Sequence, residues 1–208
     1  MHLTLFLRGL AIGFSIAAPV GPIGVLCIRR TLESGWLAGM VTGLGAASAD
    51  ACYGLMAAGG LTLAAAFLVQ QQAWLSLVGG LFLCFLGVKT LLTRPAEAAA
   101  QTTRPGAGLW GAYFSTFFLT LTNPMTILSF VAIFAGLGLG GSDGSPLSAG
   151  LLVAGVFAGS AGWWLMLSAG VSLLRTRLTP ASLLWVNRAA GLIILAFGIG
   201  AVVRGFRF

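Results

Sequence analysis

One carboxylate, Asp50, stands inside a long apolar run, whereas Glu33, Glu97 and Asp143 fall in segments that the sequence predicts as loops. A carboxylate at the centre of a bilayer costs about 2.5–3.5 kcal/mol on insertion scales, so we expect this side chain to face the protein interior. Intramembrane acids mark proton relays and substrate paths. Asp50 is therefore predicted as a proton-coupling site or as the counter-charge of a substrate amine. The alternative is a structural ion pair with Arg188 that locks two helices together. The functional and structural roles are compatible if substrate binding releases Arg188.

Proline interrupts two apolar runs, at residues 18–22 (Ala-Pro-Val-Gly-Pro) and at Asn123-Pro124. Proline has no N–H, so a carbonyl one turn earlier loses its helical partner. At the depth of the membrane such groups persist only inside protein or along a wet cavity. Gly21-Pro22 and Asn123-Pro124 both read as a helix N-cap followed by proline at the first helical position. Each half-helix would then direct free N–H groups and a positive dipole end toward the membrane centre.

These two breaks suit a zwitterion such as an amino acid. A helix N-terminus suits a carboxylate, and the freed carbonyls of Ser15, Ala18 and Thr120 suit an ammonium group, as in other transporters with broken helices. Tyr53 lies one helical step from Asp50 and could line the same cavity, although such residues more often pack. The predicted substrate-binding residues are Ser15, Ala18, Pro19, Gly21, Pro22, Tyr53, Thr120, Asn123 and Pro124. The alternative is that the prolines only kink the helices and shape their packing.

Composition places these residues in a membrane protein. The chain has 208 residues, of which 58% are hydrophobic and 7% charged, with a mean hydropathy of +1.01. Soluble domains are typically about 25% charged, so a soluble class is excluded. The net charge of +7 does not indicate nucleic-acid binding, because the Lys and Arg residues flank apolar runs and form no polar face.

Six membrane spans are predicted, at residues 3–28, 36–58, 74–92, 109–139, 147–174 and 185–203. The third and sixth align at a constant offset, which matches Trp74, Gly80, Leu81 and Gly87 with Trp185, Gly191, Leu192 and Gly198. The predicted fold class is therefore an all-α membrane protein of six transmembrane helices, built as two inverted three-helix repeats with helices 1 and 4 broken at proline. The predicted divisions are a first repeat at 1–92, a cytoplasmic linker at 93–107 and a second repeat at 108–208.

The distribution of Lys and Arg predicts the orientation. The odd-numbered loops contain Arg29, Arg30, Lys89, Arg94, Arg104, Arg175 and Arg177, and the other side contains Arg8, Arg204 and Arg207. The odd-numbered loops are therefore predicted to be cytoplasmic and both termini to lie outside.

At these motifs the chain resembles the lysine-exporter and homoserine/threonine-exporter (LysE/RhtB) family. The resemblance rests on A-P-V-G-P-I-G at 18–24, G-x-x-x-G-L-G at 39–45 with Asp50 following, and L-T-N-P at 121–124. It implies a bacterial inner-membrane exporter of amino acids or related small metabolites, driven by the proton gradient. It also implies that the functional positions are Pro19, Gly21, Pro22, Asp50, Asn123 and Pro124. Many members continue N-P with Lys, whereas this chain has Met125.

Other classes fit the sequence less well. A thiol-redox transporter needs a facing cysteine pair, but Cys27 in span 1 has no counterpart in span 4. A divalent-metal transporter needs several carboxylate or His ligands, whereas the spans contain Asp50 alone and the one histidine is His2. A scaffold needs neither a buried acid nor two breaks, and a hydrolytic enzyme lacks a His base in any span. No metal, cofactor or nucleic acid is expected, and a homodimer would fit the Gly-rich faces if these are not internal.

Overall fold

A computed structural model describes residues 2–19, 21–58, 70–92, 107–123, 126–127, 129–130, 146–175 and 180–206. Regular structure in these ranges is helical, without strands. The helices are α1 (His2–Ala17), α2 (Pro22–Ser34), α3 (Trp36–Ala58), α4 (Gln72–Leu92), α5 (Ala107–Leu121), α6 (Pro146–Arg175) and α7 (Pro180–Gly205). The all-α class is thus confirmed for the described residues.

The first predicted break is confirmed. α1 ends at Ala17, α2 begins at Pro22, and the two axes meet at 81°. Gly21 is the N-cap, as predicted, and its backbone is extended. Pro22 occupies the start of the helix, also as predicted, where its missing N–H costs no helical bond.

α2 is longer than predicted, because the chain stays helical through residues 29–34. Glu33, predicted in a loop, is therefore helical, and that prediction was wrong. The turn comes at Gly35, whose φ of 92° favours glycine and whose N–H donates to the Thr31 carbonyl at 2.9 Å. α3 begins directly afterwards.

The second break is confirmed on the side that the structure describes. α5 ends at Leu121, and residues 126–127 and 129–130 are again helical. The Ile127 N–H donates to the Asn123 carbonyl at 3.2 Å, which is the bond expected of a helix that starts just after Asn123. Pro124 and Met125 lie outside the described residues.

In the part of the chain that the structure describes, three helices, α4, α6 and α7, are each long and apolar enough to cross a membrane, and the bent α1–α2 pair is a fourth if the two helices form one span. α5 has 15 residues and is too short alone. α3 has 23 residues, but Asp50, Ser48 and several Gly residues lower its mean hydropathy. Six spans in two repeats therefore stay a prediction, as do the domain boundaries, because most of the predicted linker lies outside the described residues.

The helices pack in a reciprocal pattern. α4 lies along α7, α1 lies along α6, and α3 lies between α5 and α6, while α2 contacts α3, α6 and α7. Glycines allow the close approaches. A Cβ added to Gly80 would meet the Gly198 carbonyl at 2.9 Å, and one added to Gly191 would meet the Gly87 carbonyl at 3.1 Å. The Gly-rich faces of α4 and α7 are thus internal contacts, and a homodimer stays a prediction.

Candidate functional site

A cavity of about 700 Å³ lies where the two helix breaks meet. The end of α1 and the start of α2 form one wall, and the end of α5 with the residues after it forms another. The remaining lining comes from the first half of α4, the second half of α7 and the middle of α3 and α6. Among the described residues, most of this lining is aliphatic or glycine, and its charged members are Asp50 and Arg204.

The cavity brings together six of the predicted site residues. They are Pro19, Gly21, Pro22, Asp50, Thr120 and Asn123. Ser15 and Ala18 do not line it, and Ser15 is exposed on α1. Tyr53 does not line it either, since its hydroxyl donates to the Leu121 carbonyl at 2.6 Å and its ring stacks on Phe130. Tyr53 thus ties α3 to the second break from behind the cavity wall.

Asp50 is buried, with 3% of its surface exposed, and it is held from α6. The Ser160 hydroxyl donates to Asp50 Oδ2 at 2.7 Å, and Trp164 Nε1 donates to Ser160 Oγ at 3.2 Å. Trp164 is fixed in turn against α3, because a Cβ on Gly43 would overlap its side chain. Ser160 therefore occupies Oδ2, and no hydrogen bond from the described residues reaches Oδ1.

The structure does not bring Asp50 and Arg188 together. Arg188 is exposed, and its guanidinium lies over the Trp185 ring, 5.8 Å from the centroid. Asp50 instead accepts from Ser160, which is a neutral partner. The predicted ion pair across these helices is therefore absent from this conformation.

The prediction that the Thr120 carbonyl lacks a hydrogen-bond partner was also wrong. It accepts the Asn123 N–H at 3.2 Å, so the chain turns tightly after α5 and satisfies this group locally. The Thr120 hydroxyl donates to the Thr116 carbonyl at 2.9 Å. Thr120 still lines the cavity, but its carbonyl is not an unpaired acceptor.

Sequence reasoning identified Trp164 as a possible cavity residue, and it does line the cavity, but it missed the contact of Asp50 with α6 and the place of Arg204. Ser160 and Trp164 are four residues apart on α6, so they share a face, but no local signal assigns that face to Asp50. Arg204 was assigned to the exterior as a topology charge. It follows Ile193, Phe197 and Gly200 at helical spacing, and all four line the cavity. That periodicity was a readable signal.

The described residues contain no group of three His, Cys, Asp or Glu side chains that could hold a metal ion. Cys27, Cys52 and Cys84 are free thiols, on α2, α3 and α4 respectively. As far as the described residues show, the site is an apolar cavity with one carboxylate, one guanidinium and the polar groups of two helix breaks.

Comparison with known proteins identifies the family of the chain. Residues 14–205 match the sequence model of a family described as LysE type translocator. A Bacillus subtilis (strain 168) protein named "Putative amino acid efflux protein YcgF" is 27% identical over 208 residues, covering 99% of this chain and 98% of that protein. The Escherichia coli (strain K12) "Uncharacterized membrane protein YahN" is 28% identical over 181 residues, covering 86% and 80% respectively. No solved structure matches the chain.

Proposed function

Because this chain belongs to the LysE-type translocators, a family of membrane transporters, we propose that it exports amino acids or similar small zwitterionic metabolites from the cytoplasm. The energy source in this proposal is the proton gradient, and the substrate binds in the cavity between the two helix breaks. The similarity to a protein named for amino acid efflux supports the direction and the substrate class.

The observation that carries the proposal is that the described lining of the cavity contains a carboxylate, that of Asp50, and a guanidinium, that of Arg204. Asp50 lies in the cavity wall together with residues of both helix breaks. Arg204 lies on α7, toward the end of the bundle where α4 begins. A zwitterion presents an ammonium and a carboxylate, so it complements both charges. We assign the ammonium to Asp50, and the carboxylate to Arg204 together with the N-terminus of α2.

Asp50 also serves as the proton-coupling group in this proposal. Ser160 fixes one oxygen of the carboxylate, so protonation at the other oxygen decides whether the group attracts an ammonium. Proton binding then competes with substrate binding, which is the exchange that a proton-driven exporter requires. The coupling follows from the competition of two cations for one oxygen.

The packing supports an inverted repeat as the architecture of this transporter. α1 lies on α6 and α5 lies on α3, so the first half of each broken segment contacts the middle helix of the other predicted repeat. α4 and α7 pair with each other, and so do α3 and α6. A two-fold axis in the membrane plane would produce this set of pairs. We further propose that the protein lies in the bacterial inner membrane with its odd-numbered loops cytoplasmic.

Transport in proteoliposomes tests the proposal. Proteoliposomes that contain the purified protein are loaded with a panel of labelled amino acids, and flux is measured with and without a pH gradient. Asp50→Asn keeps the size and one oxygen acceptor for Ser160 but removes the counter-charge of the ammonium. We therefore expect exchange to persist with a raised KM for the substrate and gradient-driven flux to disappear. Asp143→Asn, which removes a carboxylate from a predicted loop, is the matched control and should behave as wild type.

Flux that Asp50→Asn leaves unchanged would remove the coupling role and leave Asp50 structural. Absence of flux for every amino acid in the panel would contradict the substrate class. Arg204→Gln separates the two charges of the substrate. It should weaken transport of an amino acid more than transport of the corresponding decarboxylated amine, because only the amino acid presents the carboxylate.

A further inference from the structure

Arg30 of α2 reaches across the bundle and binds two other helices. Its Nη1 donates to Thr42 Oγ1 on α3 at 3.2 Å, and to the Ala112 carbonyl and Thr116 Oγ1 on α5 at 3.0 and 2.9 Å. Its Nη2 donates to Ser115 Oγ on α5 at 2.9 Å. These bonds cross between α2 and α5, which otherwise have few contacts. The guanidinium is thus the main link between these two half-helices.

The acceptors around Arg30 are arranged to receive it. The Thr42 hydroxyl donates to the Ala38 carbonyl at 2.7 Å, and the Thr116 hydroxyl donates to the Ala112 carbonyl at 2.9 Å. Each hydroxyl hydrogen is therefore used within its own helix, which turns the oxygen lone pairs toward the guanidinium. Both threonines are fully buried. Among the hydrogen bonds described, the one that each threonine hydroxyl makes outside its own helix is with Arg30.

The neighbouring Arg29 ties α2 to a third helix. Its Nε and Nη2 both contact Glu33 Oε2 at 3.0 Å, and its Nη1 donates to Thr90 Oγ1 near the end of α4. Consecutive residues on a helix point about 100° apart, so the two arginines reach neighbours on different sides of α2. The second half of α2 is consequently fastened to α3, α4 and α5 at one level.

The Arg29 and Arg30 contacts are displaced from the cavity toward the end of the bundle where α2 ends. Arg30 follows Pro22 by eight residues, Thr42 precedes Asp50 by eight, and Thr116 precedes Asn123 by seven. At 1.5 Å per residue these separations are about 10–12 Å along three different helices. The cavity lining extends the other way, along the first half of α4 and the second half of α7. The Arg30 contacts therefore lie at the end of the bundle opposite the one toward which the described cavity lining extends.

We propose that Arg30 is the gate residue of this transporter, and that its bonds to α3 and α5 close the path between the cavity and the end of the bundle where α2 ends. This inference rests on the proposed transport function. The predicted orientation makes this end cytoplasmic, so the substrate enters when the Arg30 bonds break. The acceptors are neutral, so opening separates no ion pair and leaves hydroxyls that already have a partner in their own helix.

Thiol accessibility tests the gate without reference to any substrate. Ala46 lines the cavity one turn from Thr42 and one turn from Asp50, so it lies between the gate and the site. A single thiol is introduced as Ala46→Cys in a background with Cys27→Ala, Cys52→Ala and Cys84→Ala. A membrane-impermeant thiol reagent is then applied separately to each face of oriented vesicles. In the protein with Arg30, we expect slow labelling from the face at which α2 ends.

Arg30→Ala should raise labelling from that face about tenfold or more, the factor that corresponds to losing one charge-assisted hydrogen bond. Arg30→Lys should give an intermediate increase, because an ammonium keeps the charge but lacks the planar fork. Thr116→Val combined with Ser115→Ala removes acceptors while keeping Arg30, and it decides the question if Arg30→Ala does not fold. Lys89→Ala is the matched control, since Lys89 is exposed at the same end of the bundle.

Unchanged labelling in Arg30→Ala and in the acceptor variant would overturn the gate, and so would an equal rise in Lys89→Ala. Increased labelling in a protein that transports no amino acid would leave the gate in place and contradict the proposed substrate class. The two proposals therefore fail separately.

Discussion

The α1–α6 and α5–α3 contacts occupy corresponding places in the bundle, but they are made in different ways. Between α1 and α6, glycines approach the backbone from both sides. A Cβ on Gly13 would overlap the Val156 carbonyl, and a Cβ on Gly159 would overlap the Leu10 carbonyl. Between α3 and α5, one glycine, Gly45, approaches the Tyr113 carbonyl in this manner.

The α3–α5 contact relies more on side-chain hydrogen bonds. The Tyr113 hydroxyl donates to Ser48 Oγ at 2.8 Å, and Arg30 bridges both helices from α2. Backbone packing is lost when helices separate by about an ångström, because dispersion falls steeply with distance. Polar side chains can exchange one acceptor for another. We interpret α1–α6 as a fixed contact and α3–α5 as the contact that rearranges during transport.

The largest effect is expected from the double variant Gly13→Ala, Gly159→Ala. Both new methyl groups would collide with backbone of the facing helix, so α1 and α6 must separate. Because overpacking costs about 1–3 kcal/mol per site, we expect a loss of more than about 2 kcal/mol of stability. Thermal unfolding in detergent measures it, and Gly170→Ala on an open face of α6 is the control. Equal stability of the two proteins would contradict the fixed contact.

A smaller effect is expected from Gly45→Ala, which makes the same chemical change in the other contact. The new methyl group would overlap the Tyr113 carbonyl oxygen, so α5 must move away from α3. We expect a stability loss of about 1–2 kcal/mol, together with faster labelling of Ala46→Cys through the Arg30 end. If Gly45→Ala destabilises the protein more than the double variant, the comparison between the contacts is reversed.

The smallest effect is expected from Tyr113→Phe, which deletes one hydrogen bond and keeps the ring. Interhelical hydrogen bonds inside membranes average about 0.6 kcal/mol, so thermal stability should fall only slightly. Ser48 keeps its bond to the Leu44 carbonyl at 2.8 Å, and no buried hydroxyl is left without a partner. Ser48→Ala should match Tyr113→Phe, and the double variant should add nothing. An additive double variant would show that the two side chains do not act through one bond.

The helix breaks could be predicted from the sequence because their cause is local. Pro22 cannot continue a helix from α1, and a proline after glycine or asparagine fits the first position of a new helix. Asp50 could be identified because a single carboxylate in an apolar run needs an interior environment. The partner of Asp50 could not, since Ser160 is 110 residues away and no periodicity on α6 singles it out.

Arg30 shows a different limit. Counting Lys and Arg assigns a loop to one side of the membrane, but it says nothing about which arginines enter the bundle. Arg29 and Arg30 lie on a helical extension that only the structure reveals, because polar residues at 29–34 lower the apolar signal of α2. The face on which Arg30 lies is then set by packing against α3 and α5.

The paired glycines of α4 and α7 have a consequence for the origin of the molecule. Gly80 meets Gly198, and Gly191 meets Gly87, while in the sequence Gly80 corresponds to Gly191 and Gly87 to Gly198. Exchanging the two helices therefore reproduces the same contacts, which is the defining property of an isologous interface. Such a surface is complementary to itself. The contact that now joins two parts of one chain is of a kind that could once have joined two copies of a chain half as long.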